Sequence, residues 1–281
     1  VGFHVNKAKS VHGKSRGGSI VDALEEDVAV LTGYGFAPCA QIFVRGPRTF
    51  AETLTAADRV KCRQFVQRTG TTLVVHGAYP DNPWKRLPAA INNIKEEMIC
   101  ADQIGATGVI VHLAAGALDA ATVAHVLQEI ATLPEGGKAS TTLWLETHTA
   151  KASPATYETV EKLQALFQRV AAAGTNLRVG LCIDTAHLFA CGLDLTEFHT
   201  AYEWFDQLQT ALPDVPMMLH LNDSASTLGS GKDEHALLTH GNMWGAFHEV
   251  RPVDESGLMA VMDWAEGHGI TTILERHDDV T

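Results

Sequence analysis

The length of 281 residues and the 46% hydrophobic content allow one large core, and a single (β/α)8 barrel typically needs about 250 residues. The five cysteines are an odd number without C-x-x-C spacing, which argues against a disulfide framework and a cysteine zinc site. We therefore expect a reducing, intracellular compartment (cytoplasm, nucleus or virion), no secretory signal and no membrane partner. The net charge of −12, taken alone, disfavours nucleic acid, whose binding rests on neutralised phosphates.

Short β-rich runs alternate with longer amphipathic stretches along the whole chain. Helical spacing of apolar residues is clear at Ile20, Leu24, Val28 and Leu31, and again between residues 160 and 170. No linker marks a domain boundary, so we predict an α/β protein with a single-domain (β/α)8 TIM barrel. Little chain remains for an eighth outer helix, and we expect both ends to be incomplete. The predicted strands span residues 1–5, 39–44, 72–76, 108–113, 142–147, 178–184, 217–222 and 271–276.

Histidine and carboxylate side chains recur at or after the carboxyl ends of the predicted strands. In a TIM barrel this end carries the active site. A lone histidine after an apolar strand is more often structural than a ligand, but repetition in six consecutive units favours a shared function. The residues concerned are His76, His112, Glu146, Asp184, His187, His220, Asp233, His235 and Glu275.

Imidazole nitrogens and carboxylate oxygens together are the ligands that Zn²⁺ prefers, and Mn²⁺ is the alternative at a carboxylate-richer site. Nine such side chains are too many for one ion. With one carboxylate shared, they suffice for three ions that retain open positions for water and substrate.

The segments that carry these residues resemble the endonuclease IV family of apurinic/apyrimidinic (AP) endonucleases. The most specific stretches are GLCIDTAH (residues 180–187), HLNDS (220–224) and GSGKDEH (229–235), and the likeness extends from GFHV (2–5) to ILER (273–276). The resemblance implies a DNA-repair hydrolase with three bound Zn²⁺. Such an enzyme cuts duplex DNA on the 5′ side of an abasic site and leaves a 3′-hydroxyl and a 5′-deoxyribose phosphate. We expect it to act as a monomer.

The resemblance also implies how the ligands divide among three sites, with a hydroxide between the first two. Glu146 would bridge those two sites, and Glu275 would also orient or deprotonate the attacking water, so both have catalytic roles. The first site would hold His76, His112 and Glu146; the second Glu146, Asp184, His220 and Glu275; the third His187, Asp233 and His235.

Basic residues are concentrated in loops that follow the first three strands, on the predicted catalytic face. Such placement would focus positive charge where a phosphate backbone runs, despite the acidic total. Arg48 and Tyr79 match family positions that insert into the duplex at the lesion, where the abasic nucleotide flips out. Trp84 and Trp244 are either loop packing or stacking platforms, and we favour packing. The basic residues are Lys7, Lys9, Lys14, Arg16, Arg45, Arg48, Lys85 and Arg86.

Two departures from the family pattern lie after the seventh strand. Glu234 replaces the usual arginine of Asp-Arg-His, and Thr239-His240-Gly241 replaces Gly-Glu-Gly. Neither removes a predicted ligand, but the first exchanges a cation for an anion near the third site. His240 could supply a replacement contact.

Two other interpretations stay open. A sugar isomerase or epimerase of the related barrel group would use Glu146, Asp184, His220 and Glu275 around a single metal site. It leaves five of the nine polar residues and the basic loops without a role. A nucleic-acid-binding barrel that has lost its activity is the second, and the intact ligand set argues against it.

Overall fold

Eight parallel strands of the protein close into a barrel in chain order, with the last strand (Thr271–Leu274) paired with the first (Gly2–His4), which confirms the predicted TIM barrel. A separate antiparallel ribbon, formed by Asp223–Ser224 and His235–Ala236, follows the seventh barrel strand. This computed structural model describes residues 1–7, 18–48, 51–80, 82–114, 116, 118–133, 141–150 and 156–275. The strands are β1 (Gly2–His4), β2 (Cys39–Phe43), β3 (Thr72–His76), β4 (Gly108–His112), β5 (Thr142–Glu146), β6 (Val179–Asp184), β7 (Met217–His220), β8 (Asp223–Ser224), β9 (His235–Ala236) and β10 (Thr271–Leu274).

The barrel strands lie within two residues of the predicted bounds at both ends. The seventh ends earlier than predicted, because the Asn222 N–H donates to the Thr185 hydroxyl at 2.9 Å instead of to a neighbouring strand.

Helices surround the strands, and none in the described part of the chain is long and apolar enough to cross a membrane. Two of them begin at capping boxes, in which a hydroxyl and a carboxylate satisfy the first backbone N–H groups: Ser19 with Asp22, and Thr55 with Asp58. The helices are α1 (Ile20–Gly33), α2 (Ala56–Thr69), α3 (Pro88–Ile104), α4 (Ala120–Ala131), α5 (Val160–Ala172), α6 (Thr185–Cys191), α7 (Phe198–Ala211), α8 (Gly245–His248) and α9 (Gly257–Gly267), with 3-10 turns at Pro83–Lys85 and Val253–Glu255.

Apolar residues fill the barrel interior beneath the carboxyl ends of the strands, and Trp144 is the largest residue of this cluster. Two glycines on neighbouring strands make room for its ring. A Cβ added at Gly108 would lie 2.4 Å from the Trp144 indole nitrogen, and one added at Gly180 would lie 2.5 Å from its ring carbon Cζ3. The packed interior therefore closes the barrel beneath the polar ends of the strands.

Strand register brings polar residues from different strands side by side at this rim. His112 is the register partner of Glu146, and Asp184 is the partner of His220. Because parallel strands run in one direction, residues at the end of each run share one edge of the barrel. This edge holds the candidate site.

Candidate metal centre

The first group of candidate ligands joins the ends of β3, β4 and β5. Nε2 of His112 lies 3.0 Å and Nε2 of His76 lies 3.3 Å from Oε2 of Glu146. The other ring nitrogen of His76, Nδ1, donates to the carbonyl of Gly77 at 2.8 Å. That hydrogen bond selects the tautomer in which Nε2 carries a lone pair, as in histidines that bind metal.

The second group contains Glu146, Asp184, His220 and Glu275, and their ligand atoms lie within 4.8 Å of one another. Nδ1 of His220 lies 2.9 Å from Oε1 of Glu146 and 3.5 Å from Oε2 of Glu275. Its Nε2 donates to the side-chain oxygen of Gln41 at 2.8 Å, so Nδ1 is the nitrogen that faces the group. Glu146 contributes one oxygen to each of the first two groups.

The third group contains His187 and His235, with carboxylates on both sides. Nε2 of each histidine lies 3.2 Å from Oδ1 of Asp233, and Nε2 of His235 lies 3.7 Å from Oδ2 of Asp184. Nδ1 of His187 donates to the carbonyl of Thr147 at 2.7 Å, which directs Nε2 towards the group. Asp184 thus contacts the third group as well as the second, a double position that the sequence did not indicate.

The buried carboxylates and histidines of the centre stabilise each other in their charged forms. Burial raises the pKa of Glu146, but His112 and His220 outweigh burial and hold it well below 4.5. Burial likewise raises the pKa of Glu275, yet His220 brings it to about 2. Burial lowers the pKa of His187, and Asp184 and Asp233 outweigh burial and raise it well above 6.5.

Two buried atoms of the centre fit bound cations. Oε2 of Glu146 and Nε2 of His187 are buried, and neither makes a hydrogen bond of good geometry with a described residue, although Nε2 of His112 and Oδ1 of Asp233 lie 3.0 Å and 3.2 Å from them. A buried polar atom without a partner is costly, and a cation would satisfy an anionic oxygen and an imidazole lone pair. The donor set of nitrogen and oxygen atoms is the one that zinc accepts.

Some of the residues that the sequence predicts to contact DNA lie beside this centre. Lys7, Arg48 and Tyr79 line one groove of about 570 Å³, which also reaches His235 and Glu275. The ring of Tyr79 stacks over that of His112, with centroids 5.7 Å apart. Two further predicted contacts, Lys14 and Arg16, and the neighbouring Lys9 lie outside the described residues.

The two tryptophans considered as stacking platforms instead pack inside the protein, as we favoured. The Trp84 indole N–H donates to the carbonyl of His112 at 2.8 Å, and the fully buried Trp244 donates to the carbonyl of Leu195 at 2.9 Å. Trp84 therefore supports the backbone that carries a candidate ligand.

Sequence reasoning missed the residues that orient the ligands. The side-chain nitrogen of Gln41 donates to Oε1 of Glu275 at 2.9 Å and to Nδ1 of His4 at 2.8 Å. Asn222 donates to Oδ2 of Asp184 at 2.6 Å and to Oε2 of Glu275 at 3.1 Å. The available signal for Gln41 was a single polar residue within the otherwise apolar run CAQIF.

His148 is another residue that the sequence did not single out. Its ring stacks on that of His112, with centroids 5.0 Å apart, and meets the ring of His187 edge-on at 6.1 Å. Burial, reinforced by those two neighbouring rings, lowers the pKa of His148 to about 4. It is therefore a neutral imidazole at neutral pH.

Comparison with known proteins agrees with the fold and with the family resemblance. A sequence profile of the xylose isomerase-like TIM barrel family matches residues 28–261. "Probable AP endonuclease" of African swine fever virus (a tick isolate from Malawi) is 32% identical over 243 residues, which cover 85% of this chain and 78% of that protein. "Probable endonuclease 4" of Chloroflexus aurantiacus is 31% identical over 217 residues, with 72% and 73% covered.

Solved structures give the same result. The crystal structure of AsfvAP:AG superposes with a TM-score of 0.83 at 28% identity, over 98% of this chain and 88% of that one. The probable 3-DHS dehydratase AsbF of Bacillus anthracis, with a TM-score of 0.56 at 11% identity over 94% and 90% of the two chains, shares the fold alone. The chain is thus a xylose isomerase-like TIM barrel. Within that group it belongs to the endonuclease IV family of AP endonucleases.

Proposed function

We propose that the protein is a zinc-dependent AP endonuclease that hydrolyses the phosphodiester 5′ to an abasic site in duplex DNA, leaving a 3′-hydroxyl and a 5′-deoxyribose phosphate. The observation that carries the proposal is the sharing of Glu146 between two adjacent ligand groups, with a third group beside them. Adjacent cation sites with a common carboxylate suit phosphodiester hydrolysis, where charge builds on attacking and leaving oxygens at once.

The nine predicted ligands would hold three Zn²⁺. His76, His112 and Glu146 would bind the first, and Glu146, Asp184, His220 and Glu275 the second. His187, His235 and Asp233 would bind the third, with Asp184 alongside. Bound zinc would supply Lewis-acid chemistry, by lowering the pKa of water and neutralising the phosphate oxygens. Mn²⁺ is the alternative at the carboxylate-richer second group.

In this proposal Glu275 would also orient or deprotonate the attacking water. Gln41 donates to one oxygen of this carboxylate and Asn222 to the other, so its plane is held by both neighbours. Hydrogen bonds to both oxygens also favour the charged form, which is the form that binds a cation and accepts a hydrogen bond from water.

The groove beside the centre would hold the DNA. Its lining combines the cations Lys7, Arg45 and Arg48 with the ring of Tyr79, which is 51% exposed. Cations bind the phosphates, and an exposed ring can fill the space that an abasic nucleotide vacates on flipping out.

A duplex with one abasic analogue, incubated with and without prolonged chelation, tests the proposal. We expect a single chelator-sensitive nick immediately 5′ to the lesion. Metal analysis distinguishes the nuclease from a sugar isomerase, since about three zinc ions per chain are expected for the nuclease and one for the isomerase. Binding of abasic duplex without any incision would instead indicate an inactive binding protein.

Glu146→Ala provides a sharper variant. One carboxylate serves two ligand groups, so its loss should empty both and reduce cleavage by at least about 100-fold. The matched control is Glu129→Gln, which changes an exposed carboxylate on α4. Full zinc content and cleavage in Glu146→Ala would contradict the assignment.

A further inference from the structure

A carboxylate outside the metal centre is completely buried beneath the DNA-facing loops. Glu97 on α3 is 0% exposed, and its Oε1 accepts a hydrogen bond from the backbone N–H of Ala78 at 3.1 Å. Buried carboxylates are rare and costly unless hydrogen-bonded. The preceding residue, Glu96, is exposed and forms an ion pair with Arg45, so neighbouring positions on α3 contact loops after β2 and β3.

The backbone that Glu97 contacts lies very close to it. A Cβ added at Gly77 would lie 3.1 Å from Oε2 of Glu97 and 2.8 Å from the carbonyl oxygen of Ile110. The segment after β3 is thus packed between the helix and the next strand, with no room for a side chain at position 77. Glu97 thus contacts the backbone from which the following residues, Ala78 and Tyr79, leave the barrel rim.

A backbone hydrogen bond extends this arrangement to the neighbouring loop. The N–H of Tyr79 donates to the carbonyl of Pro47 at 3.0 Å. Pro47 immediately precedes Arg48, and Arg48 and Tyr79 line the same groove. Glu97 is therefore connected to both residues through the backbone. Its hydrogen bond to Ala78 leads to Tyr79 across one peptide unit, and the hydrogen bond from Tyr79 to Pro47 leads to Arg48 across another.

We propose that Glu97 is a positioning residue for damage recognition. It holds Tyr79 and, through Pro47, Arg48 in the arrangement that receives the distorted duplex, before DNA arrives. This inference rests on the proposed function. Its physical basis is preorganisation, because loops that are already ordered lose less conformational freedom on binding. Glu97 is not one of the predicted metal ligands, so its loss should affect recognition of the lesion more than metal binding.

Glu97→Ala and Glu97→Gln form the central comparison. Glutamine retains the oxygen that accepts from Ala78, whereas alanine removes it. Binding is measured with a duplex that carries a non-cleavable abasic analogue, and with the same duplex without the lesion. Because each side chain that must be ordered on binding weakens the affinity several-fold and two side chains are concerned, we expect Glu97→Ala to weaken abasic binding about 10- to 100-fold. Glu97→Gln should stay within about threefold of the wild type.

Three further measurements separate positioning from loss of structure. Zinc content and binding of intact duplex should be unchanged in Glu97→Ala. Adding Glu97→Ala to Tyr79→Ala should cost less than the same change costs in the wild type, because the part of its effect that acts through Tyr79 is already lost. Glu97→Asp keeps the charge but withdraws the oxygen by one methylene, and it decides the matter if the alanine variant does not fold. Glu129→Gln is the surface control.

The results that overturn the proposal are distinct from those that overturn the proposed function. If the wild-type protein does not prefer the abasic duplex, both the positioning role and the proposed function are refuted. A preference that survives intact in Glu97→Ala and Glu97→Asp overturns the positioning role alone. So does an equal loss of binding to damaged and undamaged duplex, or a full additional loss in the Tyr79→Ala background.

Discussion

Replacing Asp223 with asparagine tests a buried anchor behind the third ligand group. Asp223 is completely buried in the ribbon strand β8, which pairs with the strand β9 that carries His235. Its carboxylate accepts hydrogen bonds from the N–H of the next residue and from backbone N–H groups between residues 241 and 245, where α8 begins. Oδ1 accepts from Ser224 (2.8 Å), Met243 (3.3 Å) and Trp244 (3.2 Å), and Oδ2 accepts from Gly241 (3.0 Å) and Gly245 (3.2 Å).

The magnitude follows from counting the acceptors that asparagine keeps. Its oxygen can replace Oδ1, but its NH₂ group faces the N–H groups of Gly241 and Gly245, which then have no acceptor. Each buried donor left unsatisfied costs about 1–3 kcal/mol, so Asp223→Asn should lower the free energy of unfolding by about 2–6 kcal/mol. Native proteins typically have a free energy of unfolding of about 5–15 kcal/mol, so this loss would be a large part of it.

Urea unfolding of the chelated protein measures this loss directly, and zinc titration of the folded variant should show weaker binding at the third group. Asp206→Asn, an exposed change on α7, is the control and should be nearly neutral. If the free energy of unfolding of Asp223→Asn lies within about 1 kcal/mol of the wild-type value, the argument from two unsatisfied N–H groups is refuted.

Three other variants test the fold and its local chemistry. Gly180→Ala should destabilise the barrel by about 1–3 kcal/mol in urea unfolding, because the new Cβ meets Trp144; a neutral effect would contradict that packing. Thr239→Gly should raise stability by about 1 kcal/mol, since Thr239 has a φ of +65° that threonine disfavours; a fall in Tm would oppose this. The Thr55 hydroxyl and backbone lower the pKa of Asp58 below 3.8, so its stabilisation is present above that pH and lost as pH falls through the folded pKa. The stability difference between Asp58→Asn and the wild type should therefore shrink in acid, and a constant difference from pH 7 to 3 would exclude the linkage.

Much of the fold could be predicted because its signals are local. Apolar runs identify the strands, and the polarity of parallel strands places every strand end at one edge. That rule indicated the nine candidate ligands, and the family resemblance divided them among three sites. Gln41 could not be recognised in the same way, since one polar residue inside a strand is as consistent with a bulge or an edge as with a ligand-orienting role.

The amino-acid sequence by itself determined the order of strands and helices, the edge of the barrel where function lies, and the chemical types gathered there. Tertiary structure alone decided which atoms meet. Barrel register placed His112 beside Glu146, and distant acceptors, the carbonyl of Thr147 and the side chain of Gln41, chose the ring nitrogens that face the centre. The physical reason is that periodicity is a property of neighbouring residues, whereas register and hydrogen-bond direction depend on closure of the whole ring of strands.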